Sequence, residues 1–187
     1  MDILSGMRAG LPAGLYRRLA SYRHEVFVDM LGWSDLATPE RLERDQFDRE
    51  DTVYVVARDG KGRINGCARL LPTVRPYLLA EVFPELLNGA VSPSSPDVWE
   101  LSRFAAVDVS AASSAQRGQF SSPIAVALLE GAIETAVGLG AKRLITVSPL
   151  GVERLLRLAG FRAHRAGPPV VVGGYPLFAC WIEFNPV

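Results

Sequence analysis

Hydrophobic residues recur along the chain with two different periods, and each period predicts its own kind of element. Between residues 15 and 30 the apolar positions are three or four residues apart, which predicts an amphipathic helix that ends at Gly32. Segments 52–57 and 64–71 are rich in β-branched and other apolar residues, and the turn sequence Asp-Gly-Lys-Gly separates them at 59–62. This arrangement predicts an antiparallel hairpin.

The remaining pattern mixes helices and strands without strict alternation. It predicts helices within 77–87, 124–139 and 151–160, and strands at 98–107, 143–148, 169–172 and 177–184. Two polar stretches without periodicity, 34–50 and 108–122, are predicted to be long loops, which often carry functional residues. The order predicts an α/β fold, a three-layer α-β-α sandwich with a mixed, largely antiparallel twisted sheet, and residues 1–187 are predicted to form one domain.

Composition narrows the class of protein. Twenty basic residues balance twenty acidic ones, which argues against a general nucleic-acid binder. Cys67 and Cys180 lie far apart in apolar runs and are predicted to be free thiols in a reducing, cytoplasmic compartment. The sequence shows neither a signal peptide nor an apolar stretch near the ~20 residues of a membrane span, so no membrane association is expected. His24 and His164 lack partners at ligand spacing, so no metal is expected.

Carboxylates concentrate in the stretch ERDQFDRED at 43–51, although the whole chain is neutral. Glu43, Asp45 and Asp48 lie close enough to repel one another unless a cation stands among them. One interpretation is a cationic substrate. The other is a solvated loop with its own counter-ions, namely Arg41, Arg44 and Arg49.

Charged residues also interrupt two apolar strands. Glu100 and Arg103 lie in the run VWELSRFAAV, and Arg69 lies in INGCARLL. In a regular strand Glu100 and Ser102 share one face, and Arg103 points to the other face unless a bulge re-aims it. Buried charges are usually paired, so we predict an ion-pair network that spans the hairpin and this strand and reaches the acidic loop. A network that serves only stability is the alternative.

These motifs together resemble the LuxI-type acyl-homoserine lactone synthases, the autoinducer synthases that make quorum-sensing signals. The resemblance covers about residues 15–165 and rests on RHEVFVDMLGW, ERDQFD, ARLLPT and ELSRF. It implies a fold like that of the GCN5-related N-acyltransferases. It also implies acylation of the amine of S-adenosylmethionine by an acyl group from acyl carrier protein or acyl-CoA, followed by lactone closure and release of methylthioadenosine. S-adenosylmethionine and the acyl thioester are both substrates, so the resemblance implies no cofactor.

The chemistry and the resemblance assign roles to individual residues. Attack on a thioester requires a deprotonated amine, and we predict Glu100 as the general base with Asp45 as the second choice. The resemblance implies that Arg23, Arg69 and Arg103 orient the acidic residues and the substrate carboxylate. The other predicted substrate-binding residues are Phe27, Trp33, Asp48 and Phe104. Core packing is an equal alternative for Phe27, whereas Trp33 beside Gly32 is predicted to act as a lid.

Two further sites follow from the expected acyl donor. An apolar acyl pocket is predicted from Val126, Leu129, Leu144, Thr146, Ser148 and Leu155, with ordinary core packing as the alternative for each residue. By resemblance, the Thr146 position influences whether a 3-oxo acyl chain is accepted. Basic residues outnumber acidic ones between 142 and 165, which predicts a docking surface for an acidic carrier protein at Lys142, Arg143, Arg154 and Arg157. A solvated helix face is the alternative.

Two rival functions are weaker. A GCN5-type N-acetyltransferase that uses acetyl-CoA usually has a glycine-rich loop at a helix start, and the stretch 116–123 has only one glycine. A binding module without catalysis would leave the charged residues of the two apolar strands unexplained.

Overall fold

A computed structural model of the protein describes residues 1–109 and 123–184. The strands in these ranges are β1 (Asp2–Met7), β2 (Val53–Arg58), β3 (Ile64–Pro72), β4 (Val98–Ala105), β5 (Arg143–Pro149), β6 (Arg162–Arg165), β7 (Val170–Val172) and β8 (Tyr175–Glu183). The α-helices are α1 (Leu15–Arg23), α2 (Leu78–Val82), α3 (Pro123–Gly138) and α4 (Leu150–Leu158). A π-helical segment, His24–Met30, continues α1, and short 3₁₀ turns occur at Arg8–Gly10, Ser34–Leu36 and Pro84–Leu87.

The chain divides into two compact units. The first comprises Met1–Arg69 and Arg103–Gly131, and the second comprises Leu70–Ser102 and Ala132–Val187. The division falls inside β3, β4 and α3, so each of these elements contributes to both units. The assignment of the whole chain to one domain stays a prediction.

In the first unit the strand order is β1-β2-β3-β4, and helices cover both faces of these strands. The core on one face joins Leu19 of α1 to Tyr54 of β2 and Cys67 of β3. On the other face a Cβ at Gly66 would lie 3.3 Å from the Leu128 side chain of α3. This arrangement agrees with the predicted layers of helix, sheet and helix.

In the second unit the strand order is β3-β4-β5-β8-β6, and β7 also pairs with β8. β4 and β5 run parallel, with Val98 opposite Arg143. β5, β6 and β7 each run antiparallel to β8. The α/β fold with a mixed, largely antiparallel sheet is therefore confirmed.

Most predicted elements are present, but two strands were missed. β1 has a mostly exposed or half-buried sequence without clear alternation, and β6 is exposed throughout, so neither carries a hydrophobic signal. Most of the predicted loop 108–122 lies outside the described residues. Among the helices that the structure describes, none is long and apolar enough to cross a membrane.

Candidate active site

The acidic loop at 43–48 is held in place through its backbone and through the side chains of Arg44 and Phe47. Glu43 donates its backbone N–H to Ala20 O of α1 at 3.0 Å. The Arg44 guanidinium lies 5.4 Å from the centre of the Tyr16 ring. Phe47 is buried, with 2% of its surface exposed. These anchors leave the carboxylates of the loop directed into the first unit.

Six buried charged side chains of the first unit meet beside this loop. We call this group the arginine–carboxylate cluster, and its members are Arg23, Arg69, Arg103, Glu43, Asp45 and Asp48. Glu43 is fully buried and accepts hydrogen bonds from Arg23 Nε and, at 3.0 Å, from Arg103 Nη2. The formal charges cancel, and pairing is what makes buried charges tolerable. The predicted network is therefore present.

Asp45 and Arg103 form the edge of the cluster that reaches solvent. Asp45 accepts two hydrogen bonds from the Arg69 guanidinium, at 2.6 and 3.0 Å, and one from Arg103 Nη2 at 2.8 Å. The side chains of Asp45 and Arg103 are 9% and 7% exposed, whereas the other members are at most 2% exposed. This edge is therefore the part of the cluster that is most accessible to a ligand.

Asp48 lies deeper and is surrounded by donors. Its carboxylate accepts hydrogen bonds from Arg23 Nη1 and Nη2 at 2.8 and 3.1 Å, from Asp45 N at 2.9 Å and from Tyr54 OH at 3.0 Å. Burial alone would raise the pKa of Asp48, but Arg23 and Arg69 hold it well below its usual range. Asp48 is thus a fixed anion inside the cluster.

Arg103 reaches the cluster because β4 departs from regular strand geometry there. Its φ is +50°, in the left-handed region that side chains other than glycine rarely adopt. Its carbonyl oxygen accepts a hydrogen bond from Cys67 Sγ at 3.2 Å, which helps hold this conformation. The re-aiming that the sequence left open therefore occurs, and strained backbone of this kind is often found at functional sites.

Two aromatic residues border the same edge. The Arg103 guanidinium lies 5.6 Å from the centre of the Phe27 ring. Phe27 stacks on Trp33 with ring centres 5.1 Å apart and planes 20° from parallel. Phe27 is 3% exposed and belongs to the core of the first unit, whereas Trp33 is 37% exposed. Their roles in binding a substrate stay predictions.

Glu100 lies on β4 in the second unit, where its carboxylate contacts the start of α2. It is fully buried, and its carboxylate accepts hydrogen bonds from Leu78 N at 3.0 Å and Leu79 N at 2.6 Å. These residues begin α2, where N–H groups lack partners within the helix. Phe104, a predicted substrate contact, is half-buried on β4 in the first unit.

The predicted acyl-pocket residues lie in the protein interior. Leu129, Leu144, Thr146, Ser148 and Leu155 are buried, and Val126 is half-buried. Residues 144, 146 and 148 alternate along β5 and so share one face, where the Thr146 and Ser148 hydroxyls lie 3.1 Å apart. Burial fits both an acyl pocket and ordinary core packing, so the pocket stays a prediction.

The four predicted docking residues differ in their surroundings. Lys142 Nζ lies 2.6 Å from Asp97 Oδ2, and Arg143 Nη1 lies 3.7 Å from Glu183 Oε1. Arg154 and Arg157 are exposed and form no ion pair within 4 Å to any residue that the structure describes. Lys142 and Arg143 thus have acidic neighbours that the sequence does not indicate. The two docking residues without an acidic partner among the described residues both lie on α4.

The structure also settles which cations balance the acidic loop. Arg41 pairs with Asp29 at 2.6 Å and Arg49 with Asp51 at 3.0 Å, while the cluster draws its arginines from α1, β3 and β4. Glu43, Asp45 and Asp48 are thus paired with arginines from distant segments, whereas Arg49 pairs locally with Asp51. The sequence missed Tyr54, because a tyrosine in an apolar strand reads as ordinary core.

Residues 1–109 and 123–184 contain no group of three or more His, Cys, Asp or Glu that could hold a metal ion.

Comparison with known proteins places this geometry in context. The chain matches the family model described as autoinducer synthase over residues 14–185. It is 56% identical over 183 residues to the acyl-homoserine-lactone synthase of Acinetobacter nosocomialis, a match that covers 98% of this chain and 100% of that protein.

Solved structures of acyl-homoserine lactone synthases are also similar to this chain. TofI, in a ternary complex with an inhibitor and MTA, is 47% identical with a TM-score of 0.83, and the match covers 98% of this chain and 91% of that one. The CoA-dependent acyl-homoserine lactone synthase BjaI, with SAM and isopentyl-CoA, is 27% identical with a TM-score of 0.83, at 98% and 82% coverage. An acyl-CoA N-acyltransferase from Pseudomonas aeruginosa, 20% identical with a TM-score of 0.61 over 98% of this chain and 99% of that one, shares the fold. The predicted N-acyltransferase-like fold is confirmed.

Proposed function

Because the chain belongs to the autoinducer synthase family, we propose that it is an acyl-homoserine-lactone synthase that acylates S-adenosylmethionine and closes the product to a lactone. The family predicted from four short motifs is thereby confirmed. Among relatives of known structure, TofI is seen with MTA and BjaI with SAM and isopentyl-CoA, which supports these substrates for this chain.

The exposed edge of the arginine–carboxylate cluster is the observation that carries the proposal. S-adenosylmethionine has an ammonium, a carboxylate and a sulfonium close together. Asp45 offers a carboxylate to the cationic groups, and Arg103 offers a guanidinium to the substrate carboxylate. Both are held by partners that are almost fully buried, so they need little rearrangement to bind.

The reaction then needs two bond exchanges. The ammonium loses a proton to a carboxylate base, for which Glu100 is the first choice and Asp45 the second. The amine nitrogen attacks the thioester carbonyl, the C–S bond breaks, and the second nitrogen proton ends on the departing thiol. A substrate carboxylate oxygen then attacks the γ-carbon, the bond to the sulfonium breaks, and methylthioadenosine leaves with its electron pair. Holding the chain bent favours this intramolecular closure.

The acyl donor is proposed to be acyl carrier protein or acyl-CoA. Arg154 and Arg157 on α4 form an exposed basic surface that suits an acidic carrier. Lys142 and Arg143 would add to it from the start of β5. The predicted acyl pocket would take the chain, and neither a cofactor nor a metal is required by this chemistry. The free, buried thiols of Cys67 and Cys180 favour a reducing compartment, so we propose that the protein is cytoplasmic.

The test is direct. Purified protein is incubated with S-adenosylmethionine and a panel of acyl-carrier-protein and acyl-CoA thioesters, acetyl-CoA included, and the products are identified by mass spectrometry. Equal amounts of methylthioadenosine and acyl-homoserine lactone support the proposal and identify the donor. Acetylated product without methylthioadenosine would point to a simple N-acetyltransferase and would contradict it. An Asp45→Asn variant serves as the control for background thioester hydrolysis.

A further inference from the structure

Tyr54 lies beside the arginine–carboxylate cluster and is buried in the core of the first unit. Its backbone pairs with Gly6 of β1, and its ring, 1% exposed, sits in the core of the first unit. The Tyr16 ring meets it edge-on, with centres 5.3 Å apart and planes at 61°. Neither the sequence motifs nor the proposed chemistry uses this residue.

The Tyr54 hydroxyl contacts the Asp48 carboxylate of the cluster. It donates to Asp48 Oδ1 at 3.0 Å, the same oxygen that lies 2.8 Å from Arg23 Nη1 and 3.3 Å from Arg69 Nη1. Burial raises the pKa of Tyr54, and the nearby Asp48 carboxylate raises it further. The hydroxyl therefore keeps its proton and remains a donor.

Two hydrogen bonds connect that hydroxyl to the solvent-facing edge. Asp48 Oδ2 accepts the backbone N–H of Asp45 at 2.9 Å, so the position of Asp48 fixes the backbone that carries the Asp45 carboxylate. Tyr16 supports the same loop from outside, because Arg44, the residue before Asp45, lies over its ring. The two tyrosines thus hold the acidic loop at neighbouring points.

We infer that Tyr54 is a positioning residue for binding of the cationic substrate, acting through Asp48 on Asp45. This inference rests on the proposed use of S-adenosylmethionine. Tyr54 does not touch the substrate. It removes the freedom of Asp48 to turn, and so keeps Asp45 at the place where an ammonium or sulfonium binds.

The test compares Tyr54→Phe with wild type. A hydrogen bond to a charged group changes an equilibrium constant about tenfold or more. Because Tyr54 acts only through Asp48, KM for S-adenosylmethionine is expected to rise by up to about tenfold in this variant. The value of kcat at saturating S-adenosylmethionine changes much less, because the reacting groups are intact. Methylthioadenosine release gives both constants, and calorimetry gives the dissociation constant directly.

Tyr22→Phe is the matched control. Tyr22 is 4% exposed and lies in the same core, but its hydroxyl bonds to Val107 O at 2.9 Å and Val107 N at 3.1 Å instead of the cluster. Both variants are expected to melt at lower temperature, whereas only Tyr54→Phe weakens substrate binding. Equal KM changes in both, or an unchanged KM in Tyr54→Phe, would overturn the inference and leave Tyr54 with a stabilising role alone.

A double-mutant cycle with Asp48→Asn tests the route of action. If Tyr54 acts through Asp48, its removal has little further effect on the dissociation constant in the Asp48→Asn background, and additive effects would contradict the route. Wild-type protein that binds S-adenosylmethionine but forms no product would contradict the proposed reaction while the calorimetric comparison still decides on Tyr54. Wild-type protein that binds none would overturn both.

Discussion

Glu100 has a structural contact with α2 and a predicted catalytic role, and one substitution can separate the two. Its carboxylate accepts the backbone N–H groups of the first two residues of α2 and so stabilises the start of that helix. Glu100 is also our first choice for the general base. Glu100→Gln is expected to lower kcat at least about 100-fold, the usual contribution of general-base catalysis. The dissociation constant of S-adenosylmethionine should hardly change.

Steady-state kinetics, calorimetry and thermal melts on the same protein sample separate these effects. A lower melting temperature with unchanged kcat would mean that Glu100 only holds α2. Asp45, the second choice, would then be the base.

Asp48 makes the stability of the protein depend on pH in a defined direction. Its pKa is lowered from an ordinary value of 3.8 despite burial, because Arg23 and Arg69 favour the charged form. The stabilisation is complete above that ordinary value and is lost as pH falls below it, since the unfolded chain then binds a proton that the folded chain does not. The free energy of unfolding should therefore fall by up to about 1.4 kcal/mol per pH unit from this group.

Urea denaturation of wild type and Asp48→Asn between pH 6 and pH 2.5 measures this contribution. The variant should be less stable at neutral pH, because Arg23 loses its bidentate partner. It should also show the shallower decline in acid. Parallel curves for the two proteins would contradict the assignment.

The sequence singled out the charged residues of the arginine–carboxylate cluster as candidates and missed Tyr54 beside them. Arg69, Glu100 and Arg103 stand out because a charge within an apolar strand requires a partner. Tyr54 does not, because tyrosine is common in strands and its hydroxyl needs only one acceptor. Which carboxylate faces solvent was also beyond prediction, since it depends on packing between distant segments.

At the scale of elements, the contact between α3 and β1 depends on a glycine. A Cβ at Gly131 would lie 2.8 Å from Ile3 Cγ2, closer than packed carbon atoms tolerate. Gly131→Ala should therefore lower the free energy of unfolding by about 1–3 kcal/mol, as overpacking usually does. Gly138→Ala in the same helix meets nothing within 4 Å and should be neutral or stabilising, because alanine favours helix.

Chemical denaturation of both variants gives the comparison. Equal losses would show that the helix tolerates no substitution at either glycine, rather than that Ile3 is the obstacle.

Most of the elements that the sequence predicted have buried faces. β2 and β3 are almost entirely buried and β5 is mostly buried, and all three were predicted from their apolar runs. β6 is fully exposed, and it forms a strand because β8 offers it hydrogen-bonding partners. The left-handed conformation at Arg103 could not be predicted from the sequence either, because it is set by tertiary contacts with the acidic loop rather than by local propensity.

At the scale of the whole molecule, the charge of α4 should govern use of a carrier protein. Arg154 and Arg157 have no acidic partner within 4 Å among the described residues, whereas Lys142 is paired with Asp97. Arg157→Glu is therefore expected to raise KM for acyl carrier protein about tenfold at low salt, with a smaller effect at high salt.

Lys61→Glu, in the exposed turn between β2 and β3, makes the same change in net charge and should leave KM unchanged. Initial rates at two salt concentrations provide the measurement. Equal effects of the two substitutions would indicate nonspecific attraction and would contradict docking on α4.

The buried thiol of Cys67 can report when the first unit opens. Burial raises the pKa of this thiol to about 12, and Cys180 in the second unit is likewise buried, with its pKa raised to about 11. Neither thiol can react with an alkylating reagent while its surroundings stay closed. Pulse alkylation followed by peptide mass spectrometry would thus time the opening of each unit separately. Faster labelling of Cys180 than of Cys67 would mean that the first unit, which holds the arginine–carboxylate cluster, stays closed after the second unit has opened.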